Sequence, residues 1–202
     1  LACPVSCAPE AIRIRANPLR AALHAADVQL LDIRAAVIPE ADFNRALNTL
    51  GSKAAVSWTA VHALLRDALR AHPDEQFVAV IDRQGGRTRY LDQVAALDAE
   101  AVVDIREESD RLSGYDLRRA GGAATSLRFE VEAEARHLPV ALASMTAKLV
   151  RELAMTRFNR FWTQRLPEVK PTAGYGTDAR RWIDEVRRFI DPEETESLVR
   201  RL

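Results

Sequence analysis

The sequence predicts an α/β fold, and three observations carry that expectation. Short apolar, partly β-branched runs at 28–38, 77–82, 101–105 and 126–131 alternate with stretches whose apolar residues recur every three or four positions. The C-terminal third shows helical spacing throughout and no further strand-like run. The 202 residues are 48% hydrophobic and 29% charged, enough for one substantial core; wholesale disorder and a disulfide-stapled miniprotein are excluded.

Taken in order, residues 1–27 are Ala-rich, interrupted by Pro4, Pro9 and Pro18, and predict one short helix near 19–26. The run VQLLDIRAAVI (28–38) reads as a strand ending at Pro39, which suits a first helical turn because its missing N–H costs nothing there. Residues 40–71 carry Phe43, Leu47, Leu50 and Ala54, then Val61, Leu64, Leu65 and Ala68, at helical spacing, with Gly51-Ser52 as the break. FVAVID (77–82) is a continuous apolar run typical of a strand buried on both faces. Gly85-Gly86 predicts a turn and a hairpin with 88–91. AVVDI (101–105) and SLRFEV (126–131) are strands, and the polar stretch 106–125 between them has no assigned element. From Pro139 to about Trp162 a helix turns Leu142, Met145, Leu149, Leu153 and Phe158 inward. After Pro167 and Pro171, Thr177 or Asp178 caps a helix whose stripe is Trp182, Ile183, Val186, Phe189 and Ile190; a charged helical tail follows Pro192. The chain thus divides into an N-terminal segment (1–27), an α/β core (28–165) and C-terminal loop and helices (166–202).

Charge is balanced in total, 29 Lys+Arg against 29 Asp+Glu, but not in distribution. Residues 145–190 hold ten basic and five acidic residues, an excess of +5 interleaved with Phe158, Phe161, Trp162 and Tyr175. Such a region fits a phosphate backbone, or else a solvated face of i,i+4 ion pairs. No run approaches the ~20 apolar residues that span a bilayer. Cys3 and Cys7 form a C-x3-C pair without a nearby His, a poor zinc site; reduced thiols and a cytoplasmic, monomeric protein are expected. Asp82, at the end of FVAVID, and Glu134, following the last strand, are carboxylates at strand ends, where α/β sheets gather ions and substrates.

The segment ASMTAKLVRE (143–152) resembles the A-S-I-x-A-K-x-x-R-D helix signature of the type 2 ribonucleases H, the ribonuclease HII family. Glu134-Ala135-Arg136 stands where that family carries an acidic metal ligand, and Gly174-Tyr175-Gly176-Thr177 is similar to its G-Y-G-T element. Asp82 matches the family's strand-end Asp. The resemblance is good over 134–182 and faint over 28–82. It implies a ribonuclease H-like mixed sheet and a metal-dependent endoribonuclease cutting RNA in RNA–DNA hybrids or at ribonucleotides in duplex DNA. In that reading Asp82 and Glu134 are catalytic and bind Mg2+ or Mn2+, with Glu152 a further candidate ligand. Ser144, Lys148 and Arg151 hold the scissile phosphate, and Tyr175 stacks by the ribonucleotide sugar. The family's first strand, with its D-E-A-G pair, has no counterpart: Asp-Glu occurs only at Asp74-Glu75 and Asp184-Glu185. With Leu1 at the start instead of Met, the expectation is that preceding residues are missing; a short inactive homologue is the alternative. A catalytically incomplete nucleic-acid-binding domain and a metabolic α/β protein with an accidental motif are the rival readings.

Overall fold

The structure, a computed structural model, describes residues 7–121 and 123–200. The fold is mixed α/β: a four-stranded mixed sheet with flanking helices. The chain divides into two compact units, one comprising 1–35 and 146–195, the other 36–145 and 196–202.

The sheet belongs to the second unit. There α2 (Glu40–Leu50) and α3 (Lys53–Ala71) are separated at Gly51, whose φ of +74° ends α2, and at Ser52, whose hydroxyl caps α3 by accepting from Ala55 N–H. The strands follow: β1 (Val78–Asp82), then the short helix α4 (Leu91–Ala95), β2 (Val102–Glu108), β3 (Leu112–Arg118) and β4 (Ala124–Glu130). Their spatial order is β1-β4-β3-β2. The last three form an antiparallel meander, and β1 runs parallel to β4 with Asp82 opposite Glu130. Side chains alternate across the pleat. Thr125, Leu127 and Phe129 of β4, with Tyr115 and Leu117 of β3, are buried. Leu65 and Leu69 of α3 and Tyr90, Val94 and Leu97 around α4 complete this core. Tyr90 stacks on Phe129 with centroids 3.8 Å apart, and its buried N–H donates to Tyr115 Oη at 2.8 Å. The opposite face is polar. There Arg106 pairs with Asp116, Arg118 with Asp104, and Ser126 donates to Asp116.

Four expectations change here. Residues 28–38 form neither strand nor helix, and their apolar side chains are largely exposed. A strand needs a pairing edge for its backbone groups, and this run has none among the described residues. β1 is an edge strand with one half-buried face, not a strand buried on both sides. Residues 88–91 lead into α4 in place of a hairpin, because Tyr90 is drawn into the core instead of pairing along β1. The unassigned 106–125 stretch supplies the end of β2 and all of β3; its charged residues occupy the polar face while Tyr115 and Leu117 point inward.

The first unit holds α1 (Pro9–Ala25), most of α5 (Leu138–Arg165), α6 (Gly176–Val186) and the first four residues of α7 (Pro192–Ser197). Trp162 and Trp182 meet edge to face at 5.4 Å, and Phe158 lies 4.9 Å from Trp182. Val186 is also buried. Met145, Leu149 and Phe189, expected inside, are exposed. Helix α1 is longer than predicted, accommodates Pro18 and buries none of its residues. Cys7 is an exposed free thiol; Cys3 lies outside the described residues. Among the described residues no helix is long and apolar enough to cross a membrane.

Candidate functional site

Asp82 closes β1, and the chain leaving β4 is folded back against it. Arg83 N–H donates to Glu130 C=O at 2.8 Å, extending the parallel ladder by one rung. Glu132 then takes a left-handed conformation (φ +55°), and a single 3-10 turn, Ala133–Ala135, follows. Asp82 Oδ1 accepts from the N–H of buried Ala133 at 3.0 Å, which fixes this turn to the end of β1. Asp82, Glu132 and Glu134, together with Arg83, consequently line one cleft of about 490 Å³. It opens beyond the C-terminal ends of the two parallel strands, the place where open α/β sheets bind ligands. Asp82 Oδ2 makes no hydrogen bond among the described residues, and Glu134 is exposed.

Beneath the cleft Glu130 is an ion-pair hub, its side chain only 6% exposed. Oε2 accepts from Arg136 at 2.8 Å and lies 3.1 Å from His137 Nε2, while Oε1 is 2.9 Å from Arg128 Nε. Burial pushes the Glu130 carboxyl up, but the hydrogen bonds from His137 and Arg136 and the charge of Arg128 outweigh it and hold the group below the usual glutamate range. Arg83 reaches the other way, donating to the carbonyls of Asp110 (2.5 Å) and Ser109 (2.9 Å) and to Ser113 Oγ (3.1 Å). This ties the β2–β3 turn to the cleft wall.

In the first unit the Gly-Tyr-Gly segment is packed on α5. Arg151 donates to Ala173 C=O at 2.7 Å and pairs with Glu152 at 2.8 Å, and its guanidinium lies 3.5 Å from the centre of the Tyr175 ring. Tyr175 as a whole is 60% exposed. Gly174 (φ +75°) allows the close approach: a Cβ there would stand 3.0 Å from Met155 Cε and 3.2 Å from Arg151 Nη2. Asn159 clamps the start of this loop by exchanging two hydrogen bonds with the Thr172 backbone, at 2.8 and 2.9 Å. Asp178 does not cap α6, whose N-cap is Tyr175. Its carboxylate accepts from Thr172 Oγ1 (2.8 Å) and Ala173 N–H (2.7 Å) and is paired with Arg181. Arg181 first, then Thr172 and the Ala173 N–H, lower the Asp178 carboxyl to about 2.

Ser144, Lys148, Arg151 and Glu152 lie along α5; Ser144 and Lys148 share one face, about 6 Å apart along the axis. Neither makes a hydrogen bond or ion pair among the described residues, Ser144 half-buried and Lys148 exposed. Asp82 and Glu134 meet at the cleft and Arg151 and Tyr175 meet at the loop, in different compact units. Glu152 is engaged by Arg151 and not by Lys148. Sequence reading missed Glu130, Glu132, Arg83 and Asn159. Alternation along SLRFEV sets Glu130 on the face opposite Leu127 and Phe129, a signal that could have flagged it as a polar group at a strand end.

Of the ten basic residues in 145–190, Arg151, Arg165, Arg181 and Arg187 are ion-paired. Lys148, Arg157, Arg160, Lys170, Arg180 and Arg188 have no carboxylate partner among the described residues. No family model matches the chain, and neither does a curated protein or a solved structure.

Proposed function

We propose that the chain is a divalent-metal-dependent endoribonuclease of the ribonuclease HII type, acting on RNA in RNA–DNA hybrids or at ribonucleotides in duplex DNA. The observation that carries this reading is the shared cleft of Asp82 and Glu134, two carboxylates far apart in sequence. Its donor set suits a hard cation: all side-chain donors are oxygens apart from Arg83, and Mg2+ is commonly held by one or two carboxylates plus substrate phosphate. Asp82 and Glu134 would hold Mg2+ or Mn2+, which supplies an activated water and charge neutralisation for phosphodiester hydrolysis. Lys148 and Arg151 hold phosphate oxygens, and Ser144 adds a hydroxyl donor on the same helix. Tyr175 presents an exposed face to a ribose, whose 2′-OH separates RNA from DNA. The six basic residues without carboxylate partners among the described residues support a polyanionic substrate.

A catalytically incomplete nucleic-acid-binding domain is the second reading. Among the described residues no three His, Cys, Asp or Glu side chains are grouped to hold a metal ion. The Asp-Glu pairs do not fill that role: Glu75 is paired with His72 before β1, and Asp184 and Glu185 are paired with Arg187 and Arg181.

Cleavage of a duplex carrying one embedded ribonucleotide, with Mg2+ or Mn2+, tests both readings. Asp82→Asn keeps the Oδ1 acceptor for Ala133 and so preserves the turn. It is expected to abolish cutting and leave salt-dependent binding intact. Undiminished cutting by this variant overturns the site assignment. Binding without any cutting by the unaltered protein selects the second reading, and absence of binding even at low salt overturns both.

A further inference from the structure

A second pocket, of about 280 Å³, opens between α3 and the α4–β2 connection, lined by Arg66, Arg70, Leu97, Asp98 and Arg119 among others. It lies at the opposite end of the sheet from the carboxylate cleft. Arg119 directly follows Arg118, which pairs with Ala124 at the start of β4, whereas Asp82 and Glu130 stand at the strands' far ends.

Arg66 and Arg70 are four residues apart on α3 and project from the same side, beside Leu65 and Leu69, whose side chains anchor that helix in the core. Both arginines are exposed, and neither has a hydrogen bond or ion pair among the described residues. Arg119 comes from across the pocket and is oriented by a hydrogen bond from Nε to Asp98, and its two terminal nitrogens make no hydrogen bond among the described residues. The Asp98 carboxylate is already occupied, since it also accepts from Glu100 N–H at 3.1 Å. Three guanidinium groups therefore face one spoken-for carboxylate, a net charge of +2 on a concave surface with an apolar floor of Leu69 and Leu97. Like charges held together in a concavity concentrate the field and attract an anion, and guanidinium forks match the oxygens of a phosphate.

We propose that this pocket is a phosphate-binding site, separate from the carboxylate cleft. Arg66 and Arg70 supply the charge, and Arg119, steered by Asp98, supplies the oriented fork. The phosphate is either a free phosphate group or one in the backbone of a bound nucleic acid, and the assignment does not depend on the nuclease reading.

The test uses inorganic phosphate as the first probe, followed through the arginine Nε–H signals by NMR on the full chain. The expected result is a saturable shift that the double variant Arg66→Gln/Arg70→Gln weakens at least tenfold. Both positions are exposed, so the variant folds, which its circular dichroism and melting temperature check. The second probe is an RNA–DNA hybrid duplex. If the phosphate belongs to nucleic acid, the slope of log affinity against log salt becomes shallower by about 0.9, the value for one phosphate no longer neutralised. An unchanged slope with phosphate binding lost assigns the site to a free phosphate group. Absence of saturable phosphate binding, or equal binding by the double variant, overturns the proposal. Failure to bind the hybrid overturns the nuclease reading alone and leaves the phosphate result standing.

Discussion

Replacement of Gly174 by Ala probes how tightly the tyrosine loop is held on α5. At φ +75° a residue with a Cβ costs about 1–2 kcal/mol relative to Gly. The new Cβ would also meet Met155 Cε at 3.0 Å, Met155 Sδ at 3.2 Å and Arg151 Nη2 at 3.2 Å. The thioether can rotate aside, but Arg151 is fixed by Ala173 C=O, Glu152 and the Tyr175 ring. Relief therefore strains the Arg151–Ala173 hydrogen bond, worth about 1 kcal/mol more. Gly176 is the internal control. Its φ of +48° also disfavours a Cβ, yet nothing lies within 4 Å of one. Urea denaturation should show both variants destabilised, Gly174→Ala by about 1 kcal/mol more than Gly176→Ala, as a shift in midpoint at constant slope. Hybrid-duplex affinity should fall further for Gly174→Ala, since only that change displaces Arg151. Equal stability and equal affinity in the two variants would refute the packing argument.

The remaining predictions concern core and charge. Trp182→Ala, at a site 2% exposed between Trp162 and Phe158, should cost about 3–5 kcal/mol in denaturant unfolding, whereas Phe189→Ala, 50% exposed on the stripe predicted from sequence, should stay within about 0.5 kcal/mol. Glu130 has a folded carboxyl below its ordinary value of 4.5, so its contribution is present above that pH and is lost as pH falls through the lowered folded value. Melting temperature against pH should therefore decline on the acid side from about pH 4.5 downward, and Glu130→Gln should flatten that limb; an unchanged limb would place the acid sensitivity elsewhere. Tyr115 is buried, and that burial first, then its hydrogen bond to Glu108, raises the phenol to about 12. Ultraviolet titration should show one tyrosine ionising near pH 12, with its stabilising effect lost as pH rises from 10 to 12, and Tyr115→Phe should remove that step.

Local chemistry made several elements legible. Gly51-Ser52 divides two helices in the structure as in the sequence, because a left-handed glycine followed by a capping hydroxyl is a local signal that needs no partner. Residues 77–82, 101–105 and 126–131 become β1, β2 and β4 with small shifts of boundary. What failed were the inferences that needed a partner. The 28–38 run has the composition of a strand but no paired edge among the described residues, and 106–125 lacks that composition yet yields β3, since one face of a sheet end is free to carry Arg106, Asp116 and Arg118 as ion pairs.

The candidate site divides along the same line. The sequence by itself determined that Ser144, Lys148 and Arg151 lie along one helix and that Asp82 ends a strand, because helix and strand periods are fixed by backbone geometry. It also determined the uneven charge of 145–190, a property of composition alone. Only the tertiary structure decided that Glu134 shares a cleft with Asp82 and that Arg151 stacks on Tyr175. It alone set Glu130 among Arg128, Arg136 and His137 and left Arg66 and Arg70 outside any ion pair among the described residues. The physical reason is that these juxtapositions depend on loop paths, on the left-handed turns at Glu132 and Gly174, and on which side chains the core admits. Each of those is settled by packing and hydrogen bonding between segments remote in the chain.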